Sequence, residues 1–387
     1  MVSVLSLQGA NAERARSHNR RLVMGHIHAG GQMGRAQIAR ASGLSTQAVS
    51  NIIAELFDDG LIREAGRLGT GRGQPPVQYA IEPEGAYALG IEVRPTALLI
   101  ALLNLEGTAI FTHREALEHA DPRTVLAILS RLRAKIAKAN PRSGERMLGA
   151  GVVMPGPFGT TGLSGAESDL PGWQELDPRA VFTEALDLPI EFDNDANAAA
   201  MAERVNGAAH GLQTYAYLYF GTGLGLGLIS AGQRVAGAFG NAGEIGHLTI
   251  ATPSGPERLE NVASRLSIEH HLASAGLETG SVEAIEALHD HAAVMYWLDR
   301  AAPALAQAIH TVENLFDPET VILGGAMPAS ILDALIARID LPAASVSNRP
   351  DRTLPRLTRG SCGRLTATLG AAALILDRAF TPRVGTF

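Results

Sequence analysis

The most restrictive pattern in the chain lies in residues 35–59, where two predicted helices are separated by a tight turn. The apolar spacing predicts a short helix over 35–42. Gly43-Leu44 supplies the turn, and Ser45 can cap a longer helix that runs to about Asp59. A short helix, a turn of three or four residues with glycine and a longer helix have the spacing of a helix–turn–helix unit.

The segments on either side extend this unit to a winged helix. An apolar stripe predicts a preceding helix over 16–29, which Gly30-Gly31 ends. Two short strands are predicted over 61–64 and 77–81, around a loop that is rich in glycine and arginine. Such a loop places arginine on a flexible backbone, as an arm that contacts the minor groove or the phosphates requires.

The outward face of the longer predicted helix, which runs from Ser45 to about Asp59, is polar and carries almost no charge. Glutamine and asparagine can make paired hydrogen bonds to adenine, and serine or threonine can reach bases or phosphates. This composition is typical of a recognition helix in the major groove. We therefore expect double-stranded operator DNA as a partner, with contacts from Arg35, Thr46, Gln47, Ser50, Asn51, Arg67 and Arg72.

Charge is distributed unevenly along the chain. Residues 11–80 hold nine arginines, no lysine and five acids, a net charge of +4, which leaves −11 for the rest of a chain with net charge −7. A basic first domain on an acidic body favours nucleic-acid binding. The alternatives are a chance cluster of solvated arginines and a three-helix protein-interaction module with an arginine-rich loop.

The remaining residues read as alternating strands and helices in two similar series. This pattern supports an α/β body with two lobes. In the first series, strands are predicted over 87–93, 97–103, 108–114, 147–153 and 190–192, with a helix over 122–138. In the second, strands are predicted over 215–220, 225–229 and 320–323, with a long helix over 291–316.

An ordered set of motifs along nearly the whole chain resembles the ROK family (repressors, open reading frames and kinases), specifically its winged-helix regulators. The matching stretches are His18-Asn19-Arg20-Arg21, 44–64, 154–159, Leu170-Pro171-Gly172-Trp173, 192–203, 220–247, 314–325 and 369–374. The resemblance implies an α/β fold: an N-terminal winged helix-turn-helix, then a two-lobed, actin-like sugar-kinase body. We expect the winged helix in 1–85, the smaller lobe in 86–193 with the C-terminal helix at about 366–387, and the larger lobe in 194–365.

The first candidate site is Asp193-Asn194-Asp195-Ala196-Asn197. A carboxylate at the start of a helix can accept a proton from a sugar hydroxyl, and a neighbouring asparagine can hold that hydroxyl. By resemblance, Asp195 matches the catalytic base of the kinases and Asn194 a sugar contact. The alternative is a helix N-cap with acids in the first turn.

The second candidate site is Gly243-Glu244-Ile245-Gly246-His247. Glutamate and histidine three residues apart can contact one ligand, and they offer acceptors and a donor to adjacent hydroxyls. The resemblance implies that Glu244 and His247 bind sugar, as does Glu260 of the later pair Leu259-Glu260. A satisfied structural pair is the alternative for either residue alone.

The motifs for phosphate depart from the family pattern. Family kinases open the body with Asp-x-Gly-Gly-Thr, where this chain has Glu92-Val93-Arg94-Pro95-Thr96. Proline has no N–H to donate, so this phosphate cradle is compromised. The resemblance gives Gly221, Thr222 and Gly223 as a second phosphate loop and Gly324 and Gly325 as adenosine contacts, although all five also suit plain turns. We expect kinase activity to be lost and assign neither ATP nor magnesium as a cofactor.

The zinc motif of the family is missing as well. Relatives carry Cys-x-Cys-Gly-x-x-Gly-Cys after the Gly-His pair, and three thiolates with the histidine hold a structural zinc. Residues 248–258 contain no cysteine, and Cys362 is the only cysteine in the chain. We therefore predict no metal site.

Taken together, the sequence predicts a sugar-responsive transcriptional regulator whose effector is a sugar or a sugar phosphate. We expect a homodimer or a dimer of dimers. Apolar runs are too short to span a membrane, and residues 1–20 lack the apolar core of a signal peptide, so we expect a cytoplasmic protein with no membrane partner. The alternatives are an active sugar kinase with a DNA-binding domain and a regulator controlled by a protein partner.

Overall fold

A winged helix forms the first part of the structure, a computed structural model that describes residues 12–67, 76–157 and 170–381. Its elements are helices α1 (Ala12–Gly30), α2 (Arg35–Ser42) and α3 (Thr46–Asp58) and strands β1 (Met33–Gly34), β2 (Ile62–Arg67) and β3 (Val77–Ile81). The strands form an antiparallel sheet in the order β1-β3-β2. Predicted and observed bounds agree for α2 and β3, whereas α1 begins four residues earlier than predicted.

Local signals in the sequence account for the turn between α2 and α3. Gly43 adopts a left-handed conformation with φ of 71°, which favours glycine and ends α2. The Ser45 side chain accepts a hydrogen bond from the Ala48 amide at 3.2 Å and caps α3 as predicted. The tip of the predicted wing, residues 68–75 with Arg72, lies outside the described residues.

The first sheet of the body has five strands in the order β6-β5-β4-β7-β8. Its strands are β4 (Tyr87–Arg94), β5 (Ala97–Asn104), β6 (Ala109–Ala116), β7 (Met147–Met154) and β8 (Ile190–Asn194). Strand β4 is antiparallel to β5 and parallel to β7. Helices α4 (Pro122–Ala139) and α5 (Pro178–Leu186) share a buried apolar cluster with this sheet.

Helix α6 (Asp195–Asn206) follows β8 directly and leads to the second sheet. That sheet has the order β11-β10-β9-β14-β15, and its strands are β9 (Tyr215–Phe220), β10 (Leu224–Ser230), β11 (Gln233–Arg234), β14 (Val321–Gly325) and β15 (Leu357–Arg359). A separate hairpin consists of β12 (Thr249–Thr252) and β13 (Gly255–Arg258).

The helices that follow α6 are α7 (Leu259–Val262), α8 (Arg265–Ser274), α9 (Val282–Ala287), α10 (Ala292–Phe316), α11 (Ala329–Arg338) and α12 (Thr366–Phe380). Short 3₁₀ turns occur at Pro83–Gly85, Pro141–Gly144, Ile245–His247 and Gly363–Leu365. Among the helices of the described ranges, none combines the length and the apolar character that a membrane span requires.

Helix α12 lies directly on the first sheet and on α6. A Cβ atom on Gly151 of β7 would be 1.7 Å from the Ala371 carbonyl oxygen, and one on Gly370 would be 1.8 Å from the Ala198 carbonyl oxygen. Glycine is therefore required at both positions, because any side chain there would push α12 away from its neighbours.

One buried apolar cluster runs from the winged helix into the body. It includes Ile27 and Ile53 of the winged helix, residues of α6 and α12, and Tyr217 and Tyr219 of β9. Two further clusters lie on the outer sides of the first and the second sheet. The core therefore continues across the predicted boundary near residue 85. The domain limits themselves stay predictions.

Candidate ligand cleft and nucleic-acid interface

The start of α6 is fixed by a buried network around Asp193. This carboxylate accepts hydrogen bonds from the Asn194 amide and from Asn197 Nδ2, both at 2.8 Å, and it pairs with Arg234 of β11. Asn194 Oδ1 accepts from the Asn197 amide at 2.7 Å, so Asn194 is the N-cap residue of α6. The cap uses the oxygen of the Asn194 amide and leaves its nitrogen as a donor.

Asp195, the first residue of α6, has a perturbed environment. Its Oδ1 accepts a hydrogen bond from the Ala196 amide at 2.9 Å, and its Oδ2 lies 3.3 Å from where a Cβ on Gly221 would be. Burial and the charge of Glu92 raise the pKa of Asp195 to about 7, although Arg94 opposes the shift. A carboxyl group with this pKa can hold or release a proton near neutral pH.

Glu244, His247 and Glu260 lie close together in the structure. His247 Nε2 is 3.7 Å from Glu244 Oε2, and His247 Nδ1 is 3.5 Å from Glu260 Oε1. Burial, with a contribution from Glu260, raises the pKa of Glu244. Among the described residues, His247 Nδ1 is buried and has no hydrogen-bond partner. A buried polar atom without a partner is costly, so this cluster is incomplete without a ligand or water.

The cluster and Asp195 lie on the same side of the β9–β10 turn. A Cβ on Gly223 would be 3.1 Å from Glu260 Oε2, and the Gly221 position is close to Asp195. Glu244 also raises the pKa of Asp195, because the two carboxyl groups are close enough to repel each other when both are ionised. The predicted phosphate loop Gly221-Thr222-Gly223 thus lies beside the predicted sugar residues.

The segment after His247 forms the hairpin of β12 and β13. The Glu257 carboxylate accepts hydrogen bonds from the hydroxyls of Thr252 at 2.7 Å and Ser254 at 3.0 Å. The side chain of Gln307 on α10 bonds both backbone groups of Ala251. The residues present do not fit the structural zinc of the family, since this segment has no thiolate and the described part of the chain holds no metal-ligand cluster. The absence of zinc stays a prediction.

At the predicted first phosphate loop, the Arg94 side chain turns back onto Glu92. Arg94 Nε is 2.5 Å from Glu92 Oε1, and its Nη2 is 3.4 Å from the Tyr219 hydroxyl of the second sheet. The hydroxyl of Thr368 on α12 donates to Glu92 Oε2 at 2.5 Å. The Arg94 guanidinium therefore joins Glu92 of the first sheet to Tyr219 of the second. Sequence reasoning missed this contact.

Gly324 and Gly325 border a separate cavity of about 430 Å³. Its wall includes Tyr217, Met327, Pro328 and Leu332. The Tyr217 hydroxyl is buried and without a hydrogen-bond partner among the described residues. The structure thus leaves open space at the predicted adenosine contacts, even though Arg94 and Pro95 replace the first phosphate loop.

The predicted recognition face of α3 is accessible. Thr46, Gln47 and Asn51 are exposed, and Ser50 is half-buried. Gln47 Nε2 donates to Asn51 Oδ1 at 3.0 Å, which aligns the two amides on one surface of the helix. These side chains therefore have the reach and the donor and acceptor groups that base edges require.

Arginines of the winged helix fall into two groups. Arg35 and Arg67 are exposed, and the Arg35 guanidinium lies 5.3 Å from the centre of the Tyr79 ring. Arg16 is 2.7 Å from Glu55 of α3, and Arg20 pairs with Asp59. Part of the positive charge counted in the sequence is thus neutralised within the winged helix, which charge counting alone did not reveal.

Comparisons with known proteins agree with this architecture. A family model described as "ROK family" matches residues 88–378. The xylose repressor of Bacillus spizizenii is 25% identical over 370 residues, which cover 93% of this chain and 95% of the repressor. The xylose repressor of Bacillus subtilis is 24% identical over 375 residues, covering 93% of this chain and 95% of the repressor.

Solved structures show the same fold. A ROK family transcriptional regulator, described as a homologue of the E. coli MLC protein, is similar with a TM-score of 0.73 and 24% identity, over 95% of this chain and 97% of that one. A ROK family glucokinase from Streptomyces griseus, with glucose and AMPPNP, has a TM-score of 0.59 and 22% identity over 75% of this chain and 99% of the kinase. The regulator therefore aligns with nearly the whole chain, whereas the kinase aligns with three quarters of it.

Proposed function

The chain belongs to the ROK family, and we propose that it is a sugar-responsive transcriptional regulator. In this proposal the winged helix binds operator DNA and the cleft at the start of α6 binds a sugar. One observation carries it: a single chain joins an exposed amide face on α3 to a body with a buried, unpartnered His247 nitrogen among carboxylates. The xylose repressors with which it aligns along nearly its whole length support the same function.

We assign the sugar contacts to five side chains. The Asn194 nitrogen and a ring nitrogen of His247 act as donors, and the carboxylates accept from hydroxyls. Asp195 belongs to this set because its ionised carboxylate can accept a hydrogen bond from a sugar hydroxyl. The five residues are Asn194, Asp195, Glu244, His247 and Glu260.

We further propose that the effector is a neutral sugar rather than a sugar phosphate. Asp195, Glu244 and Glu260 give the cleft a negative charge, and Arg94 is held on Glu92 at 2.5 Å. A phosphate group brought among these acids would be repelled, and Arg258, whose Nη1 is 4.0 Å from Glu260 Oε1, is already paired with one of them. Hydroxyl groups, in contrast, match the carboxylates as hydrogen-bond donors.

A DNA-release experiment tests both parts of the proposal. The full chain selects binding sites from a random duplex library, and the selected duplex is then titrated in fluorescence anisotropy with neutral aldoses, including xylose and glucose, and with their phosphates. We expect at least one neutral aldose to change the Kd for DNA by at least about fivefold, the lower end of ordinary allosteric coupling. A change with phosphates alone would contradict the neutral effector, and no change with any sugar would favour control by a protein partner.

The predicted assembly is part of the proposal. Helix–turn–helix proteins bind two half-sites about one DNA turn apart, so we propose that this chain acts as a homodimer or a dimer of dimers in the cytoplasm. Light scattering of the purified chain should then give twice or four times the mass of 40.6 kDa. A monomer in the presence of operator DNA would contradict this assignment.

A second candidate function is an ATP-dependent sugar kinase. The open cavity at Gly324 and Gly325 and the raised pKa of Asp195 favour it, since a general base works best with a pKa near the working pH. The bulky Arg94 side chain, at a position where family kinases carry glycine, and the missing N–H of Pro95 oppose it. A coupled assay of ADP formation across the same sugars separates the two functions, because a regulator without kinase activity gives no sugar-dependent turnover.

A further inference from the structure

Two helices, α6 and α12, begin at the proposed sugar cleft. Asp195 is the first residue of α6, and Thr368 in the first turn of α12 donates its hydroxyl to Glu92 at 2.5 Å. Glu92 pairs with Arg94 and raises the pKa of Asp195. A ligand that moves these acids or changes their charge therefore acts on the start of both helices.

The two helices pack against each other through small residues. A Cβ on Gly370 of α12 would lie 1.8 Å from the Ala198 carbonyl oxygen of α6, and Ala199 is fully buried. Contacts of backbone with backbone contain no flexible side chain that could absorb a displacement. We therefore expect α6 and α12 to move as one unit.

At its other end, α12 touches the winged helix. Phe380, the last residue of α12, stacks on His28 of α1 with ring centres 4.4 Å apart and planes inclined by 22°. A Cβ on Gly25 of α1 would be 2.5 Å from the Phe380 carbonyl oxygen. The backbone of α1 and the end of α12 are thus in direct contact.

The far end of α6 reaches the same place. Asn206 Nδ2 donates to the Gly107 carbonyl oxygen at 3.1 Å, and the His210 ring is 6.1 Å from the His28 ring in an edge-to-face arrangement. A cavity of about 280 Å³ lies between these residues and α1. Burial lowers the pKa of His28, which favours the neutral form of the ring that stacks on Phe380. The cavity leaves space for the His28 ring to shift.

We propose that α6 and α12 transmit the ligand state of the cleft to the winged helix, with the His28–Phe380 contact as the point at which α1 responds. This inference rests on the proposed function, because it concerns regulation of the same cleft. Helix α1 packs on α2 and α3, so a rotation of α1 changes the placement of the recognition face. The two sites are coupled by a continuous path of packed backbone.

The test measures coupling as the ratio of DNA Kd values with and without a neutral aldose, with xylose and glucose as probes. Two variants change the contact: Phe380→Leu keeps an apolar side chain but removes the stacking, and His28→Leu removes the other ring. The matched control is Phe316→Leu, the same substitution at the end of α10, where the ring is 41% exposed. Thermal unfolding confirms that each variant is folded, and calorimetry gives its Kd for the sugar.

We expect both junction variants to bind sugar, and DNA without sugar, within about threefold of the wild type, while the coupling ratio falls to below about twofold. The control should keep the full ratio, commonly about 5- to 150-fold. Full coupling in both folded junction variants would overturn the inference and leave the proposed function intact. A wild-type chain whose DNA binding ignores every sugar would overturn the proposed function and this inference with it.

Hydrogen exchange of the wild-type chain provides a measurement without substitutions. Adding the aldose should change the exchange of amides in α1 around Gly25 and His28, as well as those at the start of α6. Altered exchange at the cleft with none in α1 would also overturn the inference. This result remains informative if a variant fails to fold.

Discussion

At the scale of single residues, Arg94 shows how a change of side chain can alter a site without disturbing the fold. Strands β4 and β5 pair in full register on either side of the turn that carries Pro95. The guanidinium contacts Glu92 and Tyr219, which belong to different sheets. The sequence predicted the loss of the phosphate cradle, because proline lacks a donor, but it could not predict where the arginine side chain would lie. That position depends in part on Tyr219, which is distant in the sequence.

The raised pKa of Asp195 predicts that sugar affinity depends on pH. Burial and Glu92 favour the protonated form in the free protein, whereas a sugar hydroxyl that donates to the carboxylate favours the ionised form. Binding therefore lowers this pKa, and affinity should be constant above about pH 7 and fall as pH decreases. Sugar affinity should decrease by at most about tenfold per pH unit. Calorimetry between roughly pH 5.5 and 8.5 measures it on both sides of the Asp195 pKa.

The control for this prediction is Asp195→Asn, which removes the titrating group and keeps the size of the side chain. We expect weaker binding with a flatter pH profile, and DNA binding without sugar close to that of the wild type. Glu244 also faces Asp195 electrostatically and has a pKa raised by burial, so any slope that remains in the variant is assigned to Glu244. An unchanged pH profile in the variant would show that Asp195 is not the group responsible.

At the scale of secondary structure, the elements with local signals were predictable, whereas the extent of the buried helix α6 was not. Helix α3 has an N-cap serine, a preceding glycine turn and a clear apolar stripe. Helix α6 is buried on nearly all sides, so its sequence lacks the periodic polar face that identifies a helix at the surface. The hairpin β12–β13 is held partly by Gln307, which lies on α10 and gives no signal in the local sequence.

The recognition face of α3 leads to a second prediction. Replacing Gln47, Ser50 and Asn51 by alanine removes the aligned amides and should weaken binding to the selected duplex by at least about 30-fold, since each of the two amides contributes about 1–3 kcal/mol as a good base contact. Binding to unrelated duplexes should change little. Fluorescence anisotropy with both DNAs measures the difference, and equal losses on both would remove the assignment of this face to base contacts.

Exposed Arg67, at the end of β2 in the same winged helix, should contact phosphate rather than bases. An arginine that contacts phosphate carries no sequence information, so Arg67→Ala should weaken binding to every duplex by a similar factor. The slope of log Kd against log salt should decrease by about one phosphate contact. A selective loss on the chosen operator alone would instead indicate that Arg67 contacts bases.

The hairpin β12–β13 supports the prediction that the chain binds no structural zinc. Hydrogen bonds from Thr252 and Ser254 to Glu257 close the segment that metal-binding relatives close with thiolates. Elemental analysis of untagged protein should give far less than one zinc per chain, and a chelator should leave the melting temperature unchanged. Stoichiometric zinc that survives dialysis would contradict this view of the hairpin.

At the scale of the whole molecule, the candidate site is assembled from segments that are far apart in sequence. Asp195 comes from a helix that follows the first sheet, whereas Glu244, His247 and Glu260 follow it by 49 to 65 residues, after strands of the second sheet. The resemblance to a known family indicated which residues to group. Physical reasoning from one sequence could not place them, because their proximity depends on how two sheets and two helices pack.

Ligand binding across this cleft should stabilise the whole chain. An aldose that binds only the folded state raises its stability by mass action, about 2.7 kcal/mol at a concentration one hundred times the Kd. Differential scanning fluorimetry should therefore show a rising melting temperature with the neutral aldose, and a much smaller rise with its phosphate. The variant His247→Ala should lose most of this shift, and an undiminished shift would place the sugar elsewhere.

The close packing of α12 against Gly151 and α6 also affects the order in which the protein can fold during its synthesis. Chains are synthesised from the N-terminus, and segments that can fold begin to do so while they emerge from the ribosome. The winged helix and the strands of both sheets precede residues 366–380, yet the core that joins them is lined by this helix. Until it arrives, the inner faces of the strands and of α6 remain uncovered. The nascent protein therefore contains every residue of the winged helix well before it has the helix that completes the core between this domain and the proposed cleft.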